Sequence, residues 1–429
     1  MESNSSKIIS EEFKKKACIW AQQFETFCIL DNNQISNALA LQEIEFALAV
    51  GEADAITGKG KDDWDLFRAF IDKHSGDSPL FGYLSYDLKN QIENLGSNHA
   101  DGIGFAPLFF FKPIHLILID QHGQMMVMSE EGDKICAEIE AIFIEEKNAS
   151  PIQMKAKVSK ENYIEKVEKI REHIVEGDVY ELNYCVEFFA ENTPIDPLQT
   201  YFSLQKISPT PFACFFKWNN RYIISASPER FIRKSLNKLY SQPIKGTVRR
   251  AADPIQDQKL IAELRNSEKE KAENLMIVDL VRNDLARSSE IGSVAVEELY
   301  GIYSFKQVHQ MISTVSSTIL DGIHPVDAIE NAYPMGSMTG APKVKAMQLI
   351  EQYEQTKRGL YSGSIGYFAP NEDFDFNVVI RSIQYNAASN YVNFEVGSAI
   401  TYDSIAEHEY EECLLKAQAM LKALNAQIV

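Results

Sequence analysis

Two segments of this 429-residue chain, Ser267 to Arg287 and Ser404 to Leu424, read as helices with an apolar face, and each carries Glu-x-x-Glu: Glu270 with Glu273, Glu409 with Glu412. The apolar positions are Leu275, Ile277, Val278, Leu280, Val281 and Leu285 in the first, and Tyr410, Leu414, Leu415, Ala417, Met420 and Leu421 in the second. Residues three apart share one side of a helix, so each segment aims two carboxylates at one place. The residues alone leave two readings open. Either these are solvated helix faces, or four carboxylates converge and require a cation to relieve their repulsion. Mg²⁺ suits the second reading, being a hard ion that takes one or two carboxylates and keeps waters or substrate oxygens for the rest of its octahedron.

The formal charge of -19 repels nucleic acid and anionic lipid, so neither is expected as a partner, and an anionic substrate needs a local basic pocket or a bound cation. The longest apolar runs, Leu108 to Phe111 and Ile114 to Ile119, are separated by Lys112 and Pro113 and fall short of a membrane span. Met1 to Ser10 has no basic start followed by an apolar stretch, which predicts no secretory signal and a cytoplasmic location. The six cysteines (Cys18, Cys28, Cys136, Cys185, Cys214, Cys413) form no CxxC pair or zinc-type spacing and read as reduced packing residues. His408-Glu409 does not open a zinc-protease motif, because Glu412 stands where a second histidine is required. Gly58-Lys59 is no phosphate loop, because Ala53 stands where its first glycine belongs.

From Phe13 to about Ile144 the chain mixes short β-type runs (Phe27 to Leu30, Leu108 to Phe111, Ile114 to Ile119) with turns at Asp31-Asn32 and Gly58-Lys59-Gly60. The polar stretch Glu145 to Ser150, followed by Pro151, predicts a boundary between an N-terminal region, 1–150, and a second region, 151–429. Beyond it, Ser159 predicts the N-cap of an amphipathic helix that runs to Val175 and stops at Gly177, after which strands alternate with longer helices.

Specific strings occupy the second region in a fixed order: Gly177-Asp178-Val179-Tyr180-Glu181-Leu182-Asn183, Ser227-Pro228-Glu229-Arg230-Phe231, Pro243-Ile244-Lys245-Gly246-Thr247, the stretch Lys271 to Arg287, Val308-His309-Gln310, Gly336-Ser337-Met338-Thr339-Gly340-Ala341-Pro342-Lys343, Arg358-Gly359-Leu360-Tyr361-Ser362-Gly363, Ile380-Arg381-Ser382, and Glu409 through Lys416. Together they resemble the chorismate-utilising enzymes from about Ser159 to the C-terminus; before that only Phe81-Gly82-Tyr83-Leu84-Ser85-Tyr86-Asp87 carries the likeness. The resemblance implies an α+β fold, a large two-sheet antiparallel β-sandwich flanked by helices, with the active site between the sheets and Mg²⁺ as the cofactor.

By that resemblance Glu273 and Glu412 are metal ligands, with Glu270 and Glu409 beside them acting through waters, and the metal holds the ring carboxylate of chorismate. Arg381 and Lys416 match positions that grip substrate carboxylates, and Tyr361, Thr339 and Gly397 match further substrate contacts. His309 falls at an active-site position where an imidazole hydrogen-bonds the ring hydroxyl or carboxylate; a lone histidine is equally a structural residue.

Three positions point to one branch of the family. Lys245 replaces the alanine usual in members resembling anthranilate synthase, and burial is expected to lower its pKa and make it a nucleophile. Glu229 matches the acid that protonates a departing hydroxyl. Glu181 stands where isochorismate and salicylate synthases carry a water-activating lysine and most amine-adding members a glutamine. The expected reaction joins chorismate and ammonia to give 4-amino-4-deoxychorismate, a step toward 4-aminobenzoate and folate; anthranilate synthase and isochorismate or salicylate synthase are the alternatives. No cysteine here has a glycine neighbour of the kind a glutaminase nucleophile needs, so ammonia is expected from a glutamine amidotransferase subunit.

Overall fold

The computed structural model describes residues 10–35, 44–93, 95–145 and 150–429. Residues 1–9 of the leading segment and 146–149 of the expected boundary lie outside the described residues. Among the described residues twenty strands form the framework, antiparallel except for the short pair Ile152–Ala156 with Ala426–Ile428.

The strands divide into two sheets that share Leu108–Asp120. One runs from that strand through Ile44–Thr57, Thr26–Asp31, Phe212–Trp218, Arg221–Ser227, Ser382–Asn386 and Tyr391–Ile400 to Glu181–Ala190. The other runs through Leu80–Leu84, Ser364–Phe368, Phe374–Asn377, Arg230–Ser235 and Lys238–Gln242 to Val308–Thr318, which also pairs with Ile244–Arg249 and Ala295–Ser304. Each sheet therefore contains strands from both sides of residue 150, those before it forming one contiguous block at the shared strand.

Alternation along the strands separates the layers. Cys28, Ala47, Ala49 and Phe216 meet Phe81, Phe109 and Phe111 in one apolar cluster. Their neighbours Phe27, Ile29, Leu48 and Phe215 belong to a second cluster, with Ala17, Val167, Leu204 and Ala417 from helices. A third joins Phe231, Leu239 and Phe376 to Ile277, Val281 and Ile329. Helices thus flank a two-sheet sandwich, as the motifs implied.

The helix expected after Ser159 spans Lys160–Glu176; the Ser159 hydroxyl accepts the Asn162 N–H at 3.3 Å, and Gly177 ends it with φ 84°. The two glutamate-bearing helices span Glu268–Ala286 and Ala406–Ala423. Leu275 and Leu415 depart from the expected apolar faces and are exposed. Among the described residues no helix is long and apolar enough to cross a membrane.

Candidate active site

A cavity of about 590 Å³ is lined by Glu229, Lys245, Glu270, Glu273, Tyr361, Arg381, Gly397, Glu409, Glu412 and Lys416. Both expected catalytic residues and all four expected metal ligands face it. Thr339 and His309 do not line it.

Glu229 sits at the turn between strands Arg221–Ser227 and Arg230–Ser235. The turn is pinned from both sides: the Glu229 N–H donates to the Ser227 hydroxyl at 3.3 Å, and the Glu229 carbonyl accepts the Val378 N–H at 3.0 Å. Arg230 anchors it beneath, donating to both Asp375 oxygens at 2.9 and 3.0 Å and to the Gln242 side-chain oxygen. Removing Asp375 would leave a buried charge unmatched, at a cost of about 3–5 kcal/mol. Burial pushes the Glu229 carboxyl up to about 7 against the pull of the Ser337 hydroxyl, Lys245 and Arg381. A carboxyl so placed is available as a proton donor near neutrality.

Lys245 occupies an irregular stretch of Ile244–Arg249, where the register shifts between Ile244 and Thr247 and Gly246 takes φ 87°. A β-carbon at Gly246 would also come within 3.0 Å of a Glu270 oxygen, so this bend suits glycine alone. The lysine Nζ donates to Glu181 Oε1 at 2.6 Å. Burial alone would lower its pKa, but Glu181, Glu273 and Glu229 outweigh it and hold the pKa above the ordinary lysine value. This corrects the expectation of a lysine made reactive by desolvation: it rests as an ammonium paired to a carboxylate.

Glu181 begins the strand Glu181–Ala190 and is fixed by pairing with Gly340-Ala341. A β-carbon at Gly340 would fall 2.1 Å from the Glu181 carbonyl oxygen, so only glycine permits this approach. Arg358 braces the same corner, donating to the carbonyls of Met338 at 2.6 Å and Asn183 at 2.9 Å while paired with Glu354.

Two helices bring the four glutamates to the cavity. Burial pushes Glu273 up to about 7 and raises Glu270, to which Glu412 adds repulsion. Glu412 itself is held below its ordinary value, because Lys416 outweighs burial. Lys416 Nζ donates to Glu412 Oε1 at 2.6 Å and to the Gly397 carbonyl at 2.8 Å. Four carboxylates facing one space, Glu270 and Glu273 among them raised by burial, fit a divalent cation, which would restore the ionised form of those two. They form no closed cage: the group among the described residues whose ligand atoms all lie within 4.8 Å is His173, Glu176 and Asp178. An open set fits an ion that keeps waters or substrate oxygens.

Arg381 faces the cavity half-buried, and its guanidinium makes no side-chain hydrogen bond among the described residues. An unpaired guanidinium in a cleft is the basic pocket that a chain of net charge -19 needs for an anion.

The placement of His309 is a correction. It is fully buried, with Nδ1 2.7 Å from the Ser304 hydroxyl and Nε2 3.0 Å from Asp257 Oδ1. Side chains alternate along Val308–Thr318, so Val308 and Gln310 line the cavity and the imidazole between them turns away. Thr339 is likewise fully buried, its hydroxyl directed at the carbonyls of Met335 and Gly336, where it closes a turn.

Among the cavity residues that were missed, Gln310 needed the strand's register; Glu395, two residues before Gly397, needed the same alternation; Lys269 needed the rotation of its helix.

Comparison with known proteins identifies the family. The family model described as chorismate binding enzyme matches residues 6–422. Aminodeoxychorismate synthase component 1 of Bacillus subtilis is 34% identical over 361 residues, 80% of this chain and 76% of that one. Anthranilate synthase component 1 of Thermus thermophilus is 32% identical over 84% of this chain and 81% of its own length. The crystal structure of anthranilate synthase component I from Streptococcus pneumoniae superimposes with a TM-score of 0.79 at 27% identity, covering 87% of this chain and 91% of that one. With the family model spanning nearly the whole chain and the glutamates, Lys245, Glu229 and Arg381 gathered around one cavity, this chain belongs to the chorismate-binding enzyme family.

Proposed function

We propose that this chorismate-utilising enzyme converts chorismate and ammonia to 4-amino-4-deoxychorismate and water, a step toward 4-aminobenzoate, as the chorismate-binding component of an aminodeoxychorismate synthase. The observation that carries the reading is Lys245, which faces the same cavity as the proton-donating Glu229. An enzyme that adds ammonia directly at C2 and then eliminates pyruvate has no need of a lysine nucleophile there.

Arg381 and Lys416 supply the positive charge that seats the substrate's carboxylates. Glu270, Glu273, Glu409 and Glu412 would hold Mg²⁺, which when bound supplies further positive charge for the ring carboxylate. Lys245 Nζ attacks ring carbon C2 and the ring double bond shifts. The C4 hydroxyl then departs as water with the Glu229 proton. Ammonia adds at C4, the double bond returns, and Nζ leaves. The enolpyruvyl side chain is untouched throughout.

Ammonia comes from a glutamine amidotransferase partner in this reading. Burial raises the thiol pKa of all six cysteines, so none is poised as a thiolate nucleophile. The near-equal similarity to an anthranilate synthase component supports a second reading, addition of ammonia at C2 with loss of the C4 hydroxyl as water, then elimination of pyruvate to give anthranilate. Incubation with chorismate, an ammonium salt and Mg²⁺, followed by mass identification of the product, separates them. Aminodeoxychorismate without pyruvate is expected; stoichiometric pyruvate with anthranilate would move the chain to the second reading.

A further inference from the structure

We infer that Glu181 is the catalytic base that frees Lys245 for attack, taking a proton from Nζ through the 2.6 Å contact with Oε1. The inference rests on the amine-transfer reading and adds what that reading lacks. An ammonium has no lone pair, and Lys245 is held as one by the carboxylates around it. Some group must accept its proton inside the site.

Geometry singles out Glu181. Lys245 feels Glu181 from the strand Glu181–Ala190, Glu229 from the turn between two strands, Glu270 and Glu273 from the helix Glu268–Ala286, and Glu412 from the helix Ala406–Ala423. Of these, Glu181 alone among the described residues makes an ion pair and hydrogen bond with Nζ. Glu229 is committed to the hydroxyl, and Glu412 is paired with Lys416. The glutamates on the two helices are the expected metal ligands.

Glu181 is also held facing the lysine. Its side chain is nearly inaccessible, and its second oxygen, Oε2, is buried with no hydrogen-bond partner among the described residues, so the Lys245 ammonium is the donor this carboxylate holds. The strand pairing at Gly340-Ala341 keeps it from swinging away.

The protons balance. Lys245 Nζ passes one to Glu181, leaving a free amine and a carboxylic acid. The amine bonds to C2, and the C4 hydroxyl leaves as water with the Glu229 proton. Ammonia then bonds to C4 and the C2–Nζ bond breaks, releasing Nζ as a neutral amine that recovers its proton from Glu181. Glu229 regains a proton from the newly added nitrogen.

The test uses the full chain with chorismate and saturating Mg²⁺ but no ammonia, following the Lys245 adduct by rapid quench and intact-protein mass across about pH 6 to 9. An internal pair shares its proton irrespective of bulk pH, so the unaltered chain should follow the Glu229 acid alone, forming the adduct at a nearly flat rate below about pH 7 and more slowly above it. Glu181→Gln keeps shape and removes the acceptor. Its adduct rate near neutrality should fall ~10²-fold or more, and its ratio to the unaltered chain's rate should climb about tenfold per pH unit, because the proton must leave to solvent. Glu181→Asp should be slower than the unaltered chain yet keep the same pH profile, and it carries the test if the glutamine variant does not fold. A glutamine variant with the original rate and profile overturns Glu181 as base and leaves Lys245 as nucleophile standing. Absence of an adduct on the unaltered chain, with turnover retained in Lys245→Ala, overturns the nucleophile reading and the base with it.

Discussion

Replacing Glu229 by glutamine should make the chain's stability less sensitive to alkali and its turnover much slower. Burial holds this carboxyl at about 7 against an ordinary 4.5. That gap of about 2.5 pH units corresponds to ~3 kcal/mol at about 1.4 kcal/mol per unit. The folded pKa lies above the unfolded one, so the folded state binds the proton more tightly. The resulting stability is fully present below about pH 4.5 and lost as pH rises through about 7. Roughly 2 kcal/mol of it disappears between about pH 5.5 and about pH 8.5. Glutamine cannot ionise and escapes this loss, whatever constant penalty it incurs at the Ser337 contact. Urea unfolding of both proteins without metal or substrate should therefore show the variant gaining about 2 kcal/mol on the unaltered chain over that range. Its turnover with chorismate and ammonium should meanwhile drop ~10²-fold or more, through loss of the acid. An offset equal at both pH values would mean that Glu229 is ionised as readily as a surface glutamate, and its role as proton donor would fail.

Chelation should abolish turnover and Mg²⁺ restore it, and Glu273→Ala and Glu412→Ala should each be severely impaired in steady-state assays; full activity without metal would refute the carboxylate site. His309→Ala should lower stability by ~2–3 kcal/mol, leaving Asp257 and Ser304 without their buried partner, yet keep KM for chorismate within about twofold. Gln310→Ala should do the reverse, folding normally while kcat/KM falls. The purified chain should show no turnover when glutamine is the sole nitrogen source, and glutamine-dependent product would contradict a separate glutaminase.

Much of the site was legible because its residues sit in short strings whose order and spacing are local properties. Glu270 with Glu273 and Glu409 with Glu412 share helix faces by spacing alone, and both helices formed where apolar periodicity placed them. What escaped was set by strand register and by contacts between distant segments. Between His309 and Gln310, a shift of one residue decides which side chain enters the cavity, and only the pairing of Val308–Thr318 fixes it. The state of Lys245 depends on Glu181, 64 residues earlier, and on charges from two helices, so desolvation taken alone gave the wrong sign. The boundary read near residue 150 followed the polar stretch Glu145 to Ser150, and such a stretch does not report which strands lie side by side.

The sharing of Leu108–Asp120 between the two sheets bears on how the gene can be cut. A fragment beginning at residue 151 would lack the strand Thr26–Asp31 that covers Phe212–Trp218 and the strand Leu80–Leu84 that covers Ser364–Phe368. Two ladders of unpaired backbone groups, bordered by Phe215, Phe216, Ile365 and Phe368, would then face water as ready templates for another chain. Such a fragment should reach inclusion bodies when expressed alone. It should become soluble only when residues 10–145 are supplied in the same cell, with the two pieces zipping together along the seams where one chain normally folds back on itself.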